Sequence, residues 1–348
     1  MNHKGELFMD VIIIGGGQAG LAMGYALKQH KISFIILDEN SETGKSWEKR
    51  YDSLRLFTPR NYSQLHDFTF EGDPNGFPHK GEVVSYLQKF KSVNNLPVIH
   101  NQKVIKLSKE SNQKFRVITQ VQSYTARYVV VATGAFHHPF TPPIHDGSIP
   151  FMIHASDYQN PAQIPKGDVL IIGAGNTGVQ IAAELSGTHT VTLSKSKSIN
   201  RIPQRIAGKS LFWWFETLGV SKANPDSLVG KFIQKRDPII GDDYKTVKKY
   251  VEVVSRVEAV KEGIASFQDS PSKKVKSIIW ATGYRNNYSW IDIEGVLNDG
   301  GKPIHQFGVT NVQGLYFLGL SWQSKRSSAL IYGVSDDANA IAEKIMQG

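Results

Sequence analysis

Two glycine turns of one pattern stand in this chain, each behind four aliphatic residues and each ahead of a helix-forming stretch. The first is Gly15-Gly16-Gly17-Gln18-Ala19-Gly20, after Val11-Ile12-Ile13-Ile14. The second is Gly173-Ala174-Gly175-Asn176-Thr177-Gly178, after Val169-Leu170-Ile171-Ile172. In a GxGxxG turn the first glycine allows a tight bend and the second lets the backbone approach a pyrophosphate. The third lets the helix pack closely on the strand. The free N–H groups and the positive dipole end of the helix then face phosphate. One such turn is a weak signal. Two, 158 residues apart in the same strand–turn–helix setting, indicate two bound dinucleotides and electron transfer between them.

The residues after the second strand of each unit differ. Phe34-Ile35-Ile36-Leu37 runs into Asp38 and Glu39, about 20 residues past the glycines. An acid there accepts hydrogen bonds from ribose hydroxyls, as FAD or NAD would offer. His189-Thr190-Val191-Thr192-Leu193 runs instead into Ser194-Lys195-Ser196-Lys197. Hydroxyls and cations suit a ribose 2′-phosphate, hence NADPH. NADH stays possible, because surface lysines are often only solvated. Arg201 and Arg205 could supplement Lys195, since guanidinium pairs well with phosphate; a solvated basic loop is an equal alternative.

A length of 348 residues suits two domains, each with its own core. The absence of cysteine excludes a redox-active disulfide, a thiolate nucleophile and a cysteine-ligated cluster. It fits a reducing cytosol, so a cytoplasmic protein is expected. The first eight residues are short and mixed and do not resemble a signal peptide. No stretch approaches the roughly 20 apolar residues of a membrane span. The net charge of +9 comes from scattered lysines. Polyanionic cofactors and a solvated surface account for it, and no nucleic-acid partner is expected. His137-His138 precede Pro139, which forces extended geometry. No further ligand stands at metal-binding spacing, so no metal is expected. Oligomeric state is left open.

Along the chain, a helix is expected over 17–29 and another over 81–90, where Val83, Val84, Leu87 and Phe90 recur at helical spacing. Segments 104–107 and 115–121 read as a small meander. Strand-like runs end in Ala132-Thr133-Gly134 and again in Ala281-Thr282-Gly283. Residues 245–267 read as short strands and turns, and 329–346 as a closing helix. The expected class is α/β, with two Rossmann-like dinucleotide-binding domains, the second inserted into the first. Residues 1–140 and 280–348 would form the FAD-binding domain and 165–275 the NAD(P)H-binding domain, with 141–164 as the crossing.

The paired fingerprints, Gly44-Lys45-Ser46-Trp47, the two Ala-Thr-Gly segments and Gly314-Leu315-Tyr316-Phe317-Leu318-Gly319-Leu320-Ser321-Trp322-Gln323 resemble flavin-containing monooxygenases, the class B flavoprotein monooxygenases. The likeness covers nearly the whole chain and is nearest to the short bacterial CzcO-like and YUCCA-like branch. It implies a glutathione-reductase-like FAD/NAD(P) fold, with FAD at the first fingerprint and NAD(P)H at the second. It implies hydride transfer to the flavin, addition of O2 at flavin C4a, and oxygenation of a nucleophilic nitrogen or sulfur of a small molecule, or insertion of oxygen beside a ketone. The cofactor supplies the chemistry; the protein supplies orientation and exclusion of water.

The resemblance also implies site residues. FAD contacts would come from Gly15, Gly17, Gln18, Ala19, Gly20, Asp38, Glu39, Lys45, Trp47, Thr133, Gly134, Gly319, Gln323 and Ala329. NAD(P)H contacts would come from Gly173, Gly175, Asn176, Thr177, Gly178, Ser194, Lys195, Ala281, Thr282 and Gly283. Asn176, Thr58 and Asn61 are the candidate catalytic residues, beside Phe57 at the flavin's edge. Asn176 could instead simply hold its turn. Trp213 and Trp214 read more readily as core than as a substrate wall, and Lys325-Arg326 as a positive pair near reduced flavin or as solvated residues. One motif departs from the family. Its FxGxxxHxxx(F/Y) signature keeps His154 and Tyr158, but Ser148 and Pro150 hold the first two positions. Pro150 fixes φ and removes a donor, so the crossing must take another path. An oxidase or reductase releasing H2O2, or a redox sensor linked to cation transport, are the alternative functions.

Overall fold

The computed structural model describes residues 7–136, 138–236 and 238–348. The first aliphatic run becomes the middle of a parallel sheet. Strand Leu7–Ile14 lies between Phe34–Leu37 and Ser123–Val131, parallel to both. Strands covered on both faces need unbroken apolar sequence, and Val11, Ile12 and Ile13 are fully buried. Phe34–Leu37 continues to Val98–Ile99, and Leu315–Phe317 pairs with the end of Ser123–Val131. An antiparallel meander, Val104–Lys109 with Phe115–Thr119, joins the start of Ser123–Val131. Helices Gln18–Gln29, Lys80–Val93 and Val334–Gln347 share one core on one face of the sheet. The meander, with Tyr288 and Phe317, encloses a second core on the other.

The second aliphatic run repeats this plan. Asp168–Ile172 lies between Thr190–Ser194 and Ser277–Trp280, and Glu252–Val254 and Phe151–His154 form the edges, all parallel. Helices Asn176–Leu185 and Asp243–Tyr250 cover one face. Val257–Lys261, Ile264–Phe267 and Lys273–Lys274 form an antiparallel ribbon over the other. The α/β class with two Rossmann-type sheets is as expected, and the chain returns to the first sheet through Ile291–Asp292 and Leu315–Phe317.

Three expectations differ from the structure. The second sheet draws strands from 151 to 280, so Phe151–His154 of the expected crossing and the strand before Ala281 both belong to it. The reason is a repeated backbone bond. Ala281 N–H donates to Ile172 O at 2.8 Å, as Ala132 N–H donates to Ile14 O at 2.8 Å. Each Ala-Thr-Gly strand thus lies beside its own fingerprint strand. Residues 243–250 are helical, not turns and strands; three lysines and an aspartate surround the single fully buried anchor, Val247, and obscure the period. The closing helix starts at Val334, and Ala329 lies in the preceding turns, where Ser328 Oγ accepts from the N–H groups of Ser324 and Lys325.

The altered crossing is accommodated at a ribbon. Ser148 Oγ accepts from Gly263 N–H at 2.9 Å, and Asp146 accepts from Glu262 N–H at 2.9 Å. Pro150 then stands immediately ahead of an edge strand, where a missing N–H is tolerated.

The helix packs closely on the turn at each fingerprint. A Cβ on Gly20 would overlap the carbonyl oxygen of Gly15, and one on Gly178 would overlap that of Gly173. Both obstacles are backbone, so neither can swing aside. Gly20→Ala and Gly178→Ala should each lower stability by about 1–3 kcal/mol, the usual effect of overpacking. Urea unfolding of the purified variants measures this; midpoints equal to that of the parent protein would show the contact to be looser than described.

Candidate cofactor and active site

The two fingerprints share one geometry. Gly15 and Gly173 have φ of +110° and +109°, a region that favours glycine. Gly17 and Gly175 are the N-caps of helices Gln18–Gln29 and Asn176–Leu185, in extended conformation with no side-chain cap. A Cβ at either would meet nothing within 4 Å. Each helix start therefore presents first-turn N–H groups to open space. That is what a pyrophosphate needs, and the residues at both sites fit a dinucleotide.

Backbone bonds set the two sites in register. Gly15 N–H donates to Leu37 O at 2.8 Å, and Gly173 N–H donates to Ser194 O at 3.0 Å. Asp38 and Lys195 therefore hold the same place in the two units. Each continues the match, Asp38 N–H donating to Ile99 O and Lys195 N–H to Val254 O. Asp38 is buried against Gly16, and its Oδ1 accepts from both the N–H and the Nδ2 of Asn40 at 3.0 Å. Glu39 is exposed. Lys195 is half-buried and makes no ion pair among the described residues. Ser194, expected to touch the cofactor, is 2% exposed, and its hydroxyl donates to Ser255 O and accepts from Val257 N–H. It builds the turn beneath the site instead. Arg201 is held by Gly241 O and Asp242, and Arg205 donates to Asn75 O at 2.8 Å.

At the first fingerprint, Trp47 Nε1 donates to Gln18 Oε1 at 3.3 Å, which binds the Gly44–Trp47 turn to the helix start. Gly319, with φ of +83°, lies against Ala19. Lys45 turns to Glu48 at 2.6 Å, a surface pair. Gln323 is buried, with Oε1 accepting from Leu320 N–H and Nε2 without a partner. Lys325 pairs with Asp336, so it neutralises the first turn of the closing helix. Beside it the buried Asp337 carboxyl is pushed up by burial, opposed by the Ser324 and Ser328 hydroxyls.

The three candidate catalytic residues are placed unequally. Thr58 is buried, and its hydroxyl lies 2.7 Å from Ser63 Oγ. Asn61 is exposed on the turn Arg60–Tyr62. Asn176 Oδ1 accepts from Ile240 N–H at 2.9 Å. Ile240 belongs to an aromatic cluster with Phe57, Tyr62, Phe212 and Tyr332. Asn176 thus ties the second fingerprint to the segment that carries Thr58. Of the aromatic helix, Phe212 is the buried member; Trp213 is 36% exposed, and Trp214 Nε1 donates to Ile206 O.

The crossing joins the two Ala-Thr-Gly loops. Gly134 and Gly283 have φ of +76° and +77°. His138–Pro139 pairs antiparallel with Tyr284–Arg285, and Thr282 Oγ1 donates to Phe140 O. His154 is buried, with Nε2 3.0 Å from Gly283 O and Nδ1 2.9 Å from Ser156 Oγ. Burial holds its pKa below the ordinary imidazole value, against the bond to Gly283. Tyr158 is fully buried and donates to Glu184 at 2.8 Å. Both retained motif residues are therefore structural. His138 Nε2 lies 2.9 Å from Asn287 Nδ2, and His137 lies outside the described residues. Among the described residues no group of three His, Asp or Glu could hold a metal, and no helix is long and apolar enough to cross a membrane.

The family model described as pyridine nucleotide-disulphide oxidoreductase matches residues 12–208. A CzcO-like oxidoreductase of Geobacillus kaustophilus is 46% identical over 97% of this chain and 98% of its own length. A probable indole-3-pyruvate monooxygenase of Arabidopsis thaliana, YUCCA1, is 27% identical over 96% of this chain and 89% of its own. Among solved structures, the flavin-containing monooxygenase of Stenotrophomonas maltophilia superposes with a TM-score of 0.83 at 24% identity, covering 98% and 99% of the two chains. The resemblance carried by the motifs is borne out. With two dinucleotide cradles in one chain and these matches along its length, the protein belongs to the pyridine nucleotide-disulphide oxidoreductase family and is an FAD-dependent oxidoreductase with CzcO-type relatives.

Proposed function

We propose that the chain is an NADPH-preferring flavin monooxygenase. FAD binds at the first fingerprint and NADPH at the second. Residues 1–140 and 281–348 form the FAD unit, and 151–280 the pyridine nucleotide unit. The observation that carries this reading is the reversal of charge at one matched place, Asp38 in the first unit and Lys195 in the second. An acid beside a ribose accepts from its hydroxyls and repels a phosphate; a lysine there favours a 2′-phosphate. Two cradles of opposite preference in one chain serve a donor nucleotide and an acceptor flavin.

Once bound and reduced, FAD supplies the reaction with O2 at its C4a position. One oxygen atom would go to a nucleophilic nitrogen or sulfur, or be inserted beside a ketone carbonyl, and the other to water. The chain's own part is to bind and orient. Gly15, Gly17 and Gly20 seat the FAD pyrophosphate on the helix beginning at Gln18, and Asp38 holds the ribose. Trp47, fixed by Gln18, would help hold the flavin. Gly173, Gly175, Thr177 and Gly178 would seat the second pyrophosphate, with Asn176, held by Ile240 N–H, at the same helix start. The monooxygenase names of the YUCCA1 and Stenotrophomonas proteins support the same reading.

The deciding experiment is anaerobic reduction of the FAD-loaded protein with NADPH, followed by rapid mixing with O2. We expect a C4a-adduct absorbance band before the oxidised spectrum returns. Direct reoxidation with stoichiometric H2O2 would replace the monooxygenase by an oxidase or reductase. Failure of NADPH to reduce the flavin would leave a cofactor-binding sensor.

Two sets of variants test the assignment of the cradles. Gly17→Ala and Gly175→Ala have room for the methyl group and should keep the parent's urea midpoint. Gly17→Ala should purify with FAD content well below that of the parent. Gly175→Ala should keep FAD but raise KM for NADPH. The opposite pattern would exchange the two sites. Lys195→Ala should lower the ratio of kcat/KM for NADPH to that for NADH by about tenfold, the loss of one charge-assisted contact of about 1.4 kcal/mol. An unchanged ratio would remove Lys195 from nucleotide selection.

A further inference from the structure

The segment that follows Trp47 leaves the first domain and enters the second. Tyr51 is 4% exposed and lies within the core of the second unit, among Tyr158, Val179 and Ile181, with Leu54 beside it. Tyr51 hydroxyl donates to Gln180 Oε1, on the helix that starts at the second fingerprint. Asp52 N–H donates to Gln159 O at 2.7 Å, Gln159 Nε2 donates to Lys49 O at 3.1 Å, and Asn160 Nδ2 donates to Asp52 Oδ2 at 2.8 Å. On the other side, Lys80, in a first-domain helix, reaches Asp52 at 3.0 Å and Glu48 O at 3.2 Å. Residues 49–54 therefore form a strap, held by both units and separate from the two hinge strands.

Arg50 lies in the middle of this strap and points at the hinges. Its Nη1 donates to Tyr284 hydroxyl at 2.8 Å. Its guanidinium carbon is 4.5 Å from the centre of the Phe136 ring and 5.6 Å from that of Tyr284. Those two rings stand edge to face at 5.0 Å, and Tyr284 also meets the His154 ring at 5.1 Å. Phe136 is two residues past Gly134, and Tyr284 is the residue after Gly283. One planar cation thus touches the exit of both Ala-Thr-Gly loops. A guanidinium offers a flat face to aromatic rings and fixed edge donors to a hydroxyl, which an ammonium group does not. The glycines beside these rings have the positive φ values that let a chain pivot, and a Cβ at either would meet nothing within 4 Å.

We propose that Arg50 is the positioning residue of the double hinge, a clamp that fixes the angle between the two cofactor domains. It would not touch the reacting atoms. It would set the approach of nicotinamide to flavin through Phe136 and Tyr284, and its release would let the domains swing. The kinetic part of this inference rests on the proposed transfer from NADPH to FAD; the geometric part does not.

The absence of cysteine from the chain makes the test direct. Ser92→Cys and Glu258→Cys place one spin label on each unit, at exposed positions outside both cradles. Pulsed dipolar spectroscopy on the FAD-loaded protein should give one narrow distance distribution. With Arg50→Ala added, the distribution should broaden or split; with Arg50→Lys it should broaden less. Tyr284→Phe removes only the hydroxyl and supplies the same test if Arg50→Ala does not fold. In rapid mixing, Arg50→Ala should slow flavin reduction by NADPH 10- to 100-fold while the Kd for NADPH and the reaction of reduced flavin with O2 stay as in the parent. A residue that merely supports the fold would instead reduce FAD content and thermal stability without that division. Distance distributions unchanged in both Arg50→Ala and Tyr284→Phe overturn the clamp. If NADPH fails to reduce the parent protein, the proposed function fails, and the distance distributions still decide the clamp.

Discussion

Everything in this molecule follows from one backbone contact made twice. At each fingerprint the Cα of the third glycine packs directly on the carbonyl of the first. Only hydrogen fits between them. The contact brings the helix down onto the strand, and the helix start then lies at the carboxyl end of the parallel sheet. There its unpaired N–H groups face open space rather than protein. The phosphate site is the consequence of a packing constraint, not an addition to the fold. A ligand bound there gains from the field of the helix terminus without any charged side chain.

The same economy explains why the two units share so much. Each has a buried strand, a glycine turn, a covering helix, a flanking strand ending in Ala-Thr-Gly and an antiparallel element beyond it, two strands joined to the flanking strand in the first unit and a separate three-stranded ribbon in the second. Backbone bonds fix all of these, so they tolerate wide changes of side chain. What differs between the two units is the residue one step past the second strand. Asp38 and Lys195 occupy that place, and the charge is reversed between the two units there.

The sheets and both glycine turns were legible because parallel strands demand continuous apolar runs and the turn demands glycine. Both demands leave marks within ten residues of sequence. The edge strand Phe151–His154 left no such mark. It is four residues long, follows a proline and earns its place only by pairing with Ser277–Trp280, far along the chain. Helix Asp243–Tyr250 was hidden for a related reason, since only one of its residues is fully buried. Ser194 read as a ligand because hydroxyls at that offset can meet a ribose. In the fold its Oγ is turned inward to Ser255 and Val257, and no local pattern distinguishes the two directions. Asn176 was open between turn and ligand, and its bond to Ile240 across 64 residues is a contact that only tertiary structure supplies.

The strap through Tyr51 was illegible for the deepest reason. In sequence it is Lys49-Arg50-Tyr51-Asp52-Ser53-Leu54, mostly charged and polar with a single aromatic, and nothing in it marks a core contact. In space it threads a first-domain segment into the second domain's core. Two domains joined only by short glycine-containing hinges would be free to pivot, and modest interfaces within a chain allow such motion by default. Electron transfer between two bound cofactors needs the opposite, because a shift of an ångström between reacting groups lowers the rate steeply. A duplicated fold solves the binding of two nucleotides but provides nothing that fixes the angle between them. That must come from residues outside the duplicated plan: the strap of residues 49–54, between the first fingerprint's second strand and its meander, and the segment 201–223 after the second fingerprint's second strand, where Arg205 donates to Asn75 O and Ser221 O accepts from Ser327. The asymmetric part of the molecule therefore carries the relation between its two symmetric parts.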